Sequence, residues 1–154
     1  MGDMFDMISA LSAFCPIARL DVVEHLGAWH PSLSKKFAAL SKRRPTHCSY
    51  GEIRYYFALT LLAQPNELIL LDEPTAGVDP EHRYFIWHAI AAAKKAGKTI
   101  VVSSHHLQEI ADHVDLLWFV NKQQFHRFDS GQAFQRHYGG ADLDTAFLNA
   151  SRAP

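Results

Sequence analysis

Two adjacent carboxylates follow a short apolar run in this sequence. Residues 68–71 read Leu-Ile-Leu-Leu, and Asp72 and Glu73 come directly after them. A short apolar run between turn signals predicts a buried strand, and open α/β sheets bind ligands at the carboxyl ends of their strands. Adjacent side chains leave a strand in different directions. One carboxylate can therefore serve a metal ion while its neighbour faces a water molecule.

An imidazole follows the next apolar run along the chain. Residues 99–102 read Thr-Ile-Val-Val and predict a second buried strand, which ends in Ser103, Ser104 and His105. If the two strands are neighbours, His105 reaches the same sheet edge as the acid pair. A lone histidine is more often structural, so this interpretation depends on the acid pair.

Two predicted helix starts lie close to these strands in sequence. Ser49 and Glu52 fit a capping box, and Gly51 leaves the positive helix start open to an anion. Asp79 is a predicted N-cap, with Pro80 at the first helical position. Ordinary helix capping explains each start equally well on its own.

The surrounding pattern alternates helices with strands. In order, it predicts a helix over residues 49–62, a strand over 68–71, a helix over 80–95 stopped by Gly97, a strand over 99–102, a helix from Leu107 to Val114, and a hairpin of residues 116–120 and 125–128. Such alternation implies parallel pairing with right-handed crossovers. We therefore expect an α/β fold, a mainly parallel sheet flanked by helices, with a short helical segment at the N-terminus.

Together these residues resemble the ATP-binding cassette (ABC) ATPase family. Its nucleotide-binding domains carry a signature motif, a Walker B strand, a D-loop and a switch histidine in this order. Residues 48–52 are similar to the Leu-Ser-Gly-Gly-Gln signature, residues 68–73 to Walker B and residues 76–80 to the D-loop. His105 falls at the switch histidine. The resemblance covers about residues 48–128 and implies a partial P-loop NTPase-like ABC ATPase domain.

The resemblance also implies cofactors and residue roles. ATP and Mg²⁺ would be the cofactors. Asp72 would hold Mg²⁺ through water, Glu73 would orient or deprotonate the water that attacks the γ-phosphate, and His105 would contact that phosphate. Positioning and charge neutralisation are what phosphoryl transfer mainly requires of a protein. The residues implied to contact nucleotide across a head-to-tail dimer are Ser49, Gly51, Glu52 and Asp79.

One domain is expected for the whole chain. Its predicted parts are residues 1–47, a remnant of the Q-loop and helical subdomain, residues 48–128, the motif-bearing core, and residues 129–154, the tail. Residues 142–148 resemble the closing segment of many transporter ATPases. Residues 20–26 are similar to the segment that often follows the family's Q-loop, which places the Q-loop glutamine near Ala13, where glutamine is absent.

The sequence departs from the family at two further places. Within the signature helix, the usual glycine, arginine, alanine and arginine are replaced by Tyr50, Tyr55, Phe57 and Thr60. The sequence also contains no GxxxxGK[ST], the Walker A phosphate loop. Residues 97–99 read Gly-Lys-Thr, but they end a predicted helix and enter a strand, whereas a phosphate loop runs from strand to helix. We predict that Gly97 is a helix stop.

Two explanations of the missing Walker A loop stay open. The chain is either a fragment of a longer gene or a degenerate subunit whose partner supplies Walker A. We favour a fragment, because a sheet that lacks its first strands exposes edges that proteins normally cover. In both cases the chain alone is expected to be inactive.

Composition and charge limit the kinds of partner that this sequence predicts. The chain has 154 residues, 48% hydrophobic and 20% charged, with a net charge of -1, so no nucleic-acid partner is expected. No apolar run is long enough for a membrane span, and Asp3 and Asp6 stand where a signal peptide has basic residues. We expect a cytoplasmic protein held at the membrane face by a transmembrane permease and paired with a second ABC ATPase subunit.

The leading functional hypothesis is an ATP-binding and ATP-hydrolysing subunit that powers an ABC membrane transporter. The alternatives are a non-transport ABC ATPase and a non-hydrolysing interaction module. The ten histidines raise a metal-site hypothesis, but they show no familiar ligand spacing. Cys15 and Cys48 also lack zinc spacing, and we expect free buried thiols.

Overall fold

The computed structural model describes residues 1–10 and 18–152. The described elements are α1 (Gly2–Ala10), α2 (Arg19–Trp29), α3 (Pro31–Ser41), a 3₁₀ turn (Pro45–His47), α4 (Tyr50–Ala63), β1 (Leu68–Asp72), α5 (Pro80–Lys95), β2 (Thr99–Ser103), α6 (Leu107–His113), β3 (Leu117–Asn121), β4 (Gln124–Phe128), α7 (Gly131–Tyr138) and α8 (Leu143–Arg152). They form two compact units, Met1–Ser103 and Ser104–Pro154. The single domain expected for residues 1–154 stays a prediction.

The first unit contains the parallel pair that the sequence predicts. β1 and β2 run parallel, in a register from Leu68 opposite Thr99 to Asp72 opposite Ser103. Helix α4 contacts β1, helix α5 contacts β2, and the two helices contact each other. The α/β prediction is therefore confirmed, and the helix between the strands begins and ends where its caps predict.

The prediction that both strands are buried is wrong for one of their faces. Ile69 and Leu71 are buried, but the alternate side chains of β1 are not: Leu68 is 56% exposed and Leu70 is 67% exposed. Val101, opposite Leu70 in the register, is 53% exposed. In the described part of the chain, only the face that meets the helices is covered. The apolar run indicated a strand correctly, but it carries no information on how many layers cover the sheet.

Aromatic side chains fill much of the first unit's core. Tyr55 and Tyr56 of α4 are fully buried. The Tyr56 ring stacks on Phe37 of α3 with centroids 4.5 Å apart, and burial raises the pKa of Tyr56 to about 12. Cys48 is a free thiol but only half-buried, contrary to expectation, because it lies just before α4 at the surface. Cys15 lies outside the described residues.

The second unit contains the predicted hairpin. β3 and β4 pair antiparallel, and Lys122 and Gln123 make the turn with φ values of 46° and 63°. Positive φ at both central residues is typical of a two-residue hairpin turn. The core of this unit consists of Phe119, Phe134, Ala146 and Ala150. No helix in the described ranges combines the length and apolar character that crossing a membrane requires.

Candidate functional site

The acid pair lies at the carboxyl end of the parallel strands. Asp72 is the last residue of β1, and Ser103, the last residue of β2, lies opposite it. The Ser103 hydroxyl donates a hydrogen bond to Asp72 Oδ1. The Glu73 N–H donates to the Ser103 carbonyl oxygen at 3.0 Å. Hydrogen bonds therefore join the ends of both strands beside the two carboxylates.

Glu73 has an uncommon backbone conformation. Its φ is 47°, in the left-handed region that non-glycine residues rarely adopt. Its carbonyl oxygen accepts hydrogen bonds from the Ala76 N–H at 3.2 Å and from the Arg54 guanidinium of α4. Arg54 was not predicted from the sequence, because the partner of this side chain is a main-chain atom in another element.

Helix α4 begins with the predicted capping box. The Ser49 hydroxyl accepts from the Glu52 N–H at 3.1 Å, and Glu52 Oε2 accepts from the Ser49 N–H at 2.8 Å. The other Glu52 oxygen pairs with Arg43 at 2.5 Å. The hydrogen bond from Ser49, followed by the contact with Arg43, lowers the pKa of Glu52. Glu52 is thus an ionised carboxylate that fixes the start of α4.

The start of α4 packs against the turn that follows the acid pair. A Cβ placed on Gly51 would lie 3.5 Å from both the Gly77 carbonyl oxygen and Val78 Cα. Gly77 has a φ of 69°, and a Cβ there would lie 3.1 Å from the Tyr50 ring. Gly51 is buried, but a Cβ there would make only ordinary van der Waals contact. At Gly77 the positive φ favours glycine. Two segments that are separate in sequence form one surface of the first unit.

Asp79 closes this surface as the N-cap of α5. Its Oδ1 accepts from the N–H groups of Glu81 and His82, both at 3.1 Å. Its Oδ2 lies 2.5 Å from His82 Nδ1. The hydrogen bond with His82 lowers the pKa of Asp79, so this carboxylate stays ionised at neutral pH.

Parts of this chain are similar to known proteins. Residues 39–111 match the family model described as "AAA domain, putative AbiEii toxin, Type IV TA system". The energy-coupling factor transporter ATP-binding protein EcfA2 of Lactococcus lactis subsp. lactis (strain IL1403) is 32% identical over 90 residues, which are 58% of this chain and 30% of that protein.

Two solved structures align with more of the chain, each at 20% sequence identity. One is the ATP-binding subunit of an ABC transporter, with a TM-score of 0.63 over 88% of this chain and 64% of that one. The chain carries part of the ABC ATPase fold. The other structure is described as "an inward-facing conformation of a putative metal-chelate type ABC transporter" and has a TM-score of 0.64 over 95% of this chain and 56% of that one.

The predicted resemblance to ABC transporter ATP-binding proteins is therefore confirmed for part of the chain. The chain spans less than two thirds of the length of each of these proteins, namely 30%, 64% and 56%. The segments predicted from sequence as the signature, Walker B and the D-loop all lie in the first unit. The roles of their residues stay predictions.

His105, the predicted switch histidine, lies in the second unit. His105 precedes α6, and its ring lies beside that of His106 with centroids 4.2 Å apart. The approach of His105 to Glu73 stays a prediction. The predicted Q-loop position near Ala13 lies outside the described residues.

The Gly-Lys-Thr tripeptide is a helix end, as predicted. Gly97 has a φ of 92°, and its N–H donates to the Lys94 carbonyl oxygen after the last turn of α5. Lys98 Nζ donates to the carbonyl oxygens of Gln64 and Asn66 in the turn before β1, and burial lowers the pKa of Lys98. This lysine stabilises a turn within the first unit.

The described histidines form no metal cluster. Across residues 1–10 and 18–152, no three histidine, cysteine, aspartate or glutamate side chains gather as a metal site would require. His82 instead pairs with Asp79, and the His30 ring meets the His88 ring edge-on at 5.2 Å.

Removing the cap of α4 provides a test of local stability. We expect Ser49→Ala to lower the free energy of unfolding by about 1 kcal/mol, because the Glu52 N–H loses its acceptor. Urea unfolding, monitored by far-UV circular dichroism, measures this change. Ser34→Ala is the control, since its exposed hydroxyl donates only within α3, to the Pro31 carbonyl oxygen, and its effect should stay within about 0.5 kcal/mol. Equal effects would contradict the capping role.

Proposed function

We propose that this chain is part of an ATP-binding and ATP-hydrolysing subunit that powers an ABC membrane transporter. The observation that carries the proposal is the acid pair at the end of β1, bonded to the end of β2. The close packing of the signature-like helix start on the turn at Gly77 also supports it. The relatives include transporter ATP-binding proteins.

Asp72 is the proposed Mg²⁺ residue. Its carboxylate is exposed at the strand end, with the Ser103 hydroxyl bonded to it. Carboxylate, hydroxyl and water oxygens are the hard ligands that Mg²⁺ prefers, so the residues present suit this ion, held through water. Bound Mg²⁺ would neutralise phosphate charge during transfer.

Glu73 is proposed to orient or deprotonate the attacking water, and His105 to contact the γ-phosphate. Glu73 directly follows Asp72, the last residue of β1, and the proposal gives it a role different from that of Asp72. A carboxylate within hydrogen-bond reach of the water can accept its proton.

The surface around the start of α4 is proposed to contact the nucleotide of a second subunit. Amide groups at a helix start and their positive dipole favour a phosphate. Gly51 is buried against the turn at Gly77 and Val78, and the exposed Asp79 caps α5 beside it. The proposed contact residues are Ser49, Gly51, Glu52 and Asp79. The partners would be a second ABC ATPase subunit and a transmembrane permease, with the chain at the cytoplasmic membrane face.

The test is complementation with a phosphate loop. This chain is mixed with the N-terminal part of an ABC ATPase subunit that carries GxxxxGK[ST], and this mixture is called the completed assembly. We expect ATP hydrolysis above that of either part alone, and none when the loop lysine is changed to alanine. A stable complex that neither binds nor hydrolyses ATP would instead favour the non-hydrolysing interaction module.

A further inference from the structure

A tyrosine and an arginine one helical turn apart form a pair on α4. Arg54 Nε donates a hydrogen bond to Tyr50 Oη at 2.7 Å, and the guanidinium carbon lies 5.1 Å from the centroid of the Tyr50 ring. Residues four apart on a helix are neighbours on its surface. The same Tyr50 ring lies against Gly77. The pair therefore lies between the start of α4 and the turn after β1.

The other end of the guanidinium reaches the acid pair. A second nitrogen of Arg54 donates to the carbonyl oxygen of Glu73. The N–H of Glu73 donates to the Ser103 carbonyl oxygen. The Glu73 backbone is thus bonded to β2 through its N–H and to α4 through its carbonyl oxygen. A left-handed conformation at a non-glycine residue persists only where its surroundings enforce it.

We propose that Arg54 is a positioning residue for the Glu73 carboxylate, held in place by Tyr50. The assignment of a catalytic consequence rests on the proposed function of Glu73. Arginine suits the task because its planar guanidinium is always charged and presents several donors in a fixed geometry. It can therefore bond Tyr50 Oη and the Glu73 carbonyl oxygen at once. A lysine ammonium lacks this fork.

Amide hydrogen exchange of the full chain tests the placement directly. With Arg54→Ala, we expect exchange at the Glu73 and Ala76 amides to become about tenfold faster, because a charge-assisted hydrogen bond to the turn is lost. Tyr50→Phe removes only the hydroxyl that orients Arg54, so it should shift the same amides in the same direction by less. Arg54→Lys should fall between wild type and Arg54→Ala.

The matched control is Arg44→Ala, which removes an exposed guanidinium from the same unit. Exchange at Glu73 and Ala76 should then remain as in the wild type. Free guanidinium at millimolar concentration, far below denaturing levels, should partly restore protection in Arg54→Ala. The proposal is overturned if Arg54→Ala and Tyr50→Phe leave both amides unchanged. It is also overturned if every core amide of the unit accelerates equally, since this would indicate general destabilisation.

Turnover in the completed assembly separates positioning from binding. We expect Arg54→Ala to lower kcat about tenfold while KM for ATP stays within about twofold, because only the geometry of the reacting step changes. Unchanged kcat in an active assembly would overturn the proposal. If the wild-type assembly itself is inactive, the proposed function fails, and the exchange measurement still decides whether Arg54 holds the Glu73 turn.

Discussion

Replacing Glu73 with glutamine should reduce ATP hydrolysis by the completed assembly by at least about a hundredfold, which is the low end of what a positioned acid or base contributes. The amide keeps the size of the side chain, but it cannot accept a proton from water. Since Asp72 and the phosphate loop are unchanged, ATP should still bind. Measurement of phosphate release together with equilibrium binding of a fluorescent ATP analogue separates these two effects.

The matched control for this substitution lies at the opposite end of the same strand. Glu67 immediately precedes β1 and is exposed, and its carbonyl oxygen accepts a hydrogen bond from the Thr99 N–H. Glu67→Gln makes the same chemical change at the amino end of β1 and should leave turnover within about twofold, as most exposed substitutions are mild. Retained turnover in Glu73→Gln would remove Glu73 from its proposed role. Equal loss in both variants would indicate a general charge effect.

Local features were predicted from the sequence because the signals that define them are local. Ser49 with Glu52 specifies the start of α4, and Asp79 with Pro80 specifies the start of α5. The turn-forming Gly97 marks the end of α5. Each feature depends on hydrogen bonds within a few residues, so no knowledge of distant packing is needed to predict it.

Features that depend on distant contacts could not be predicted in this way. Tyr50 was recognised only as a departure from the family's glycine, whereas its ring packs on Gly77 and its hydroxyl orients Arg54. Arg54 bonds a main-chain oxygen in another element, and patterns of side-chain types do not reveal such a contact. The covering of each sheet face likewise depends on which elements are present. An apolar run predicts a strand, but it does not identify the layers that cover it.

The one-sided burial of β1 predicts a contrast between substitutions at two neighbouring leucines. Leu70 and Leu71 are adjacent on β1, yet Leu71 is only 6% exposed. We expect Leu71→Ala to lower the free energy of unfolding of the isolated chain by about 2–5 kcal/mol, because it removes apolar contacts and leaves a cavity. Leu70→Ala should change the free energy by no more than about 0.5 kcal/mol, because its side chain already lies in water. Urea unfolding of both variants provides the comparison.

The same pair behaves differently if a further segment covers the open face. Parallel sheets are normally covered on both faces, so a phosphate-loop segment that completes this sheet would bury Leu70. In the completed assembly, Leu70→Ala should then weaken association with that segment by about tenfold, in line with the loss of a buried leucine side chain. Thr99→Ala changes a smaller exposed side chain at the start of β2 and should have a weaker effect. Leu70→Ala should not lower the free energy of unfolding of the isolated chain as much as Leu71→Ala does. An equal decrease would show that the face of β1 bearing Leu70 is already covered and that the sheet needs no further layer.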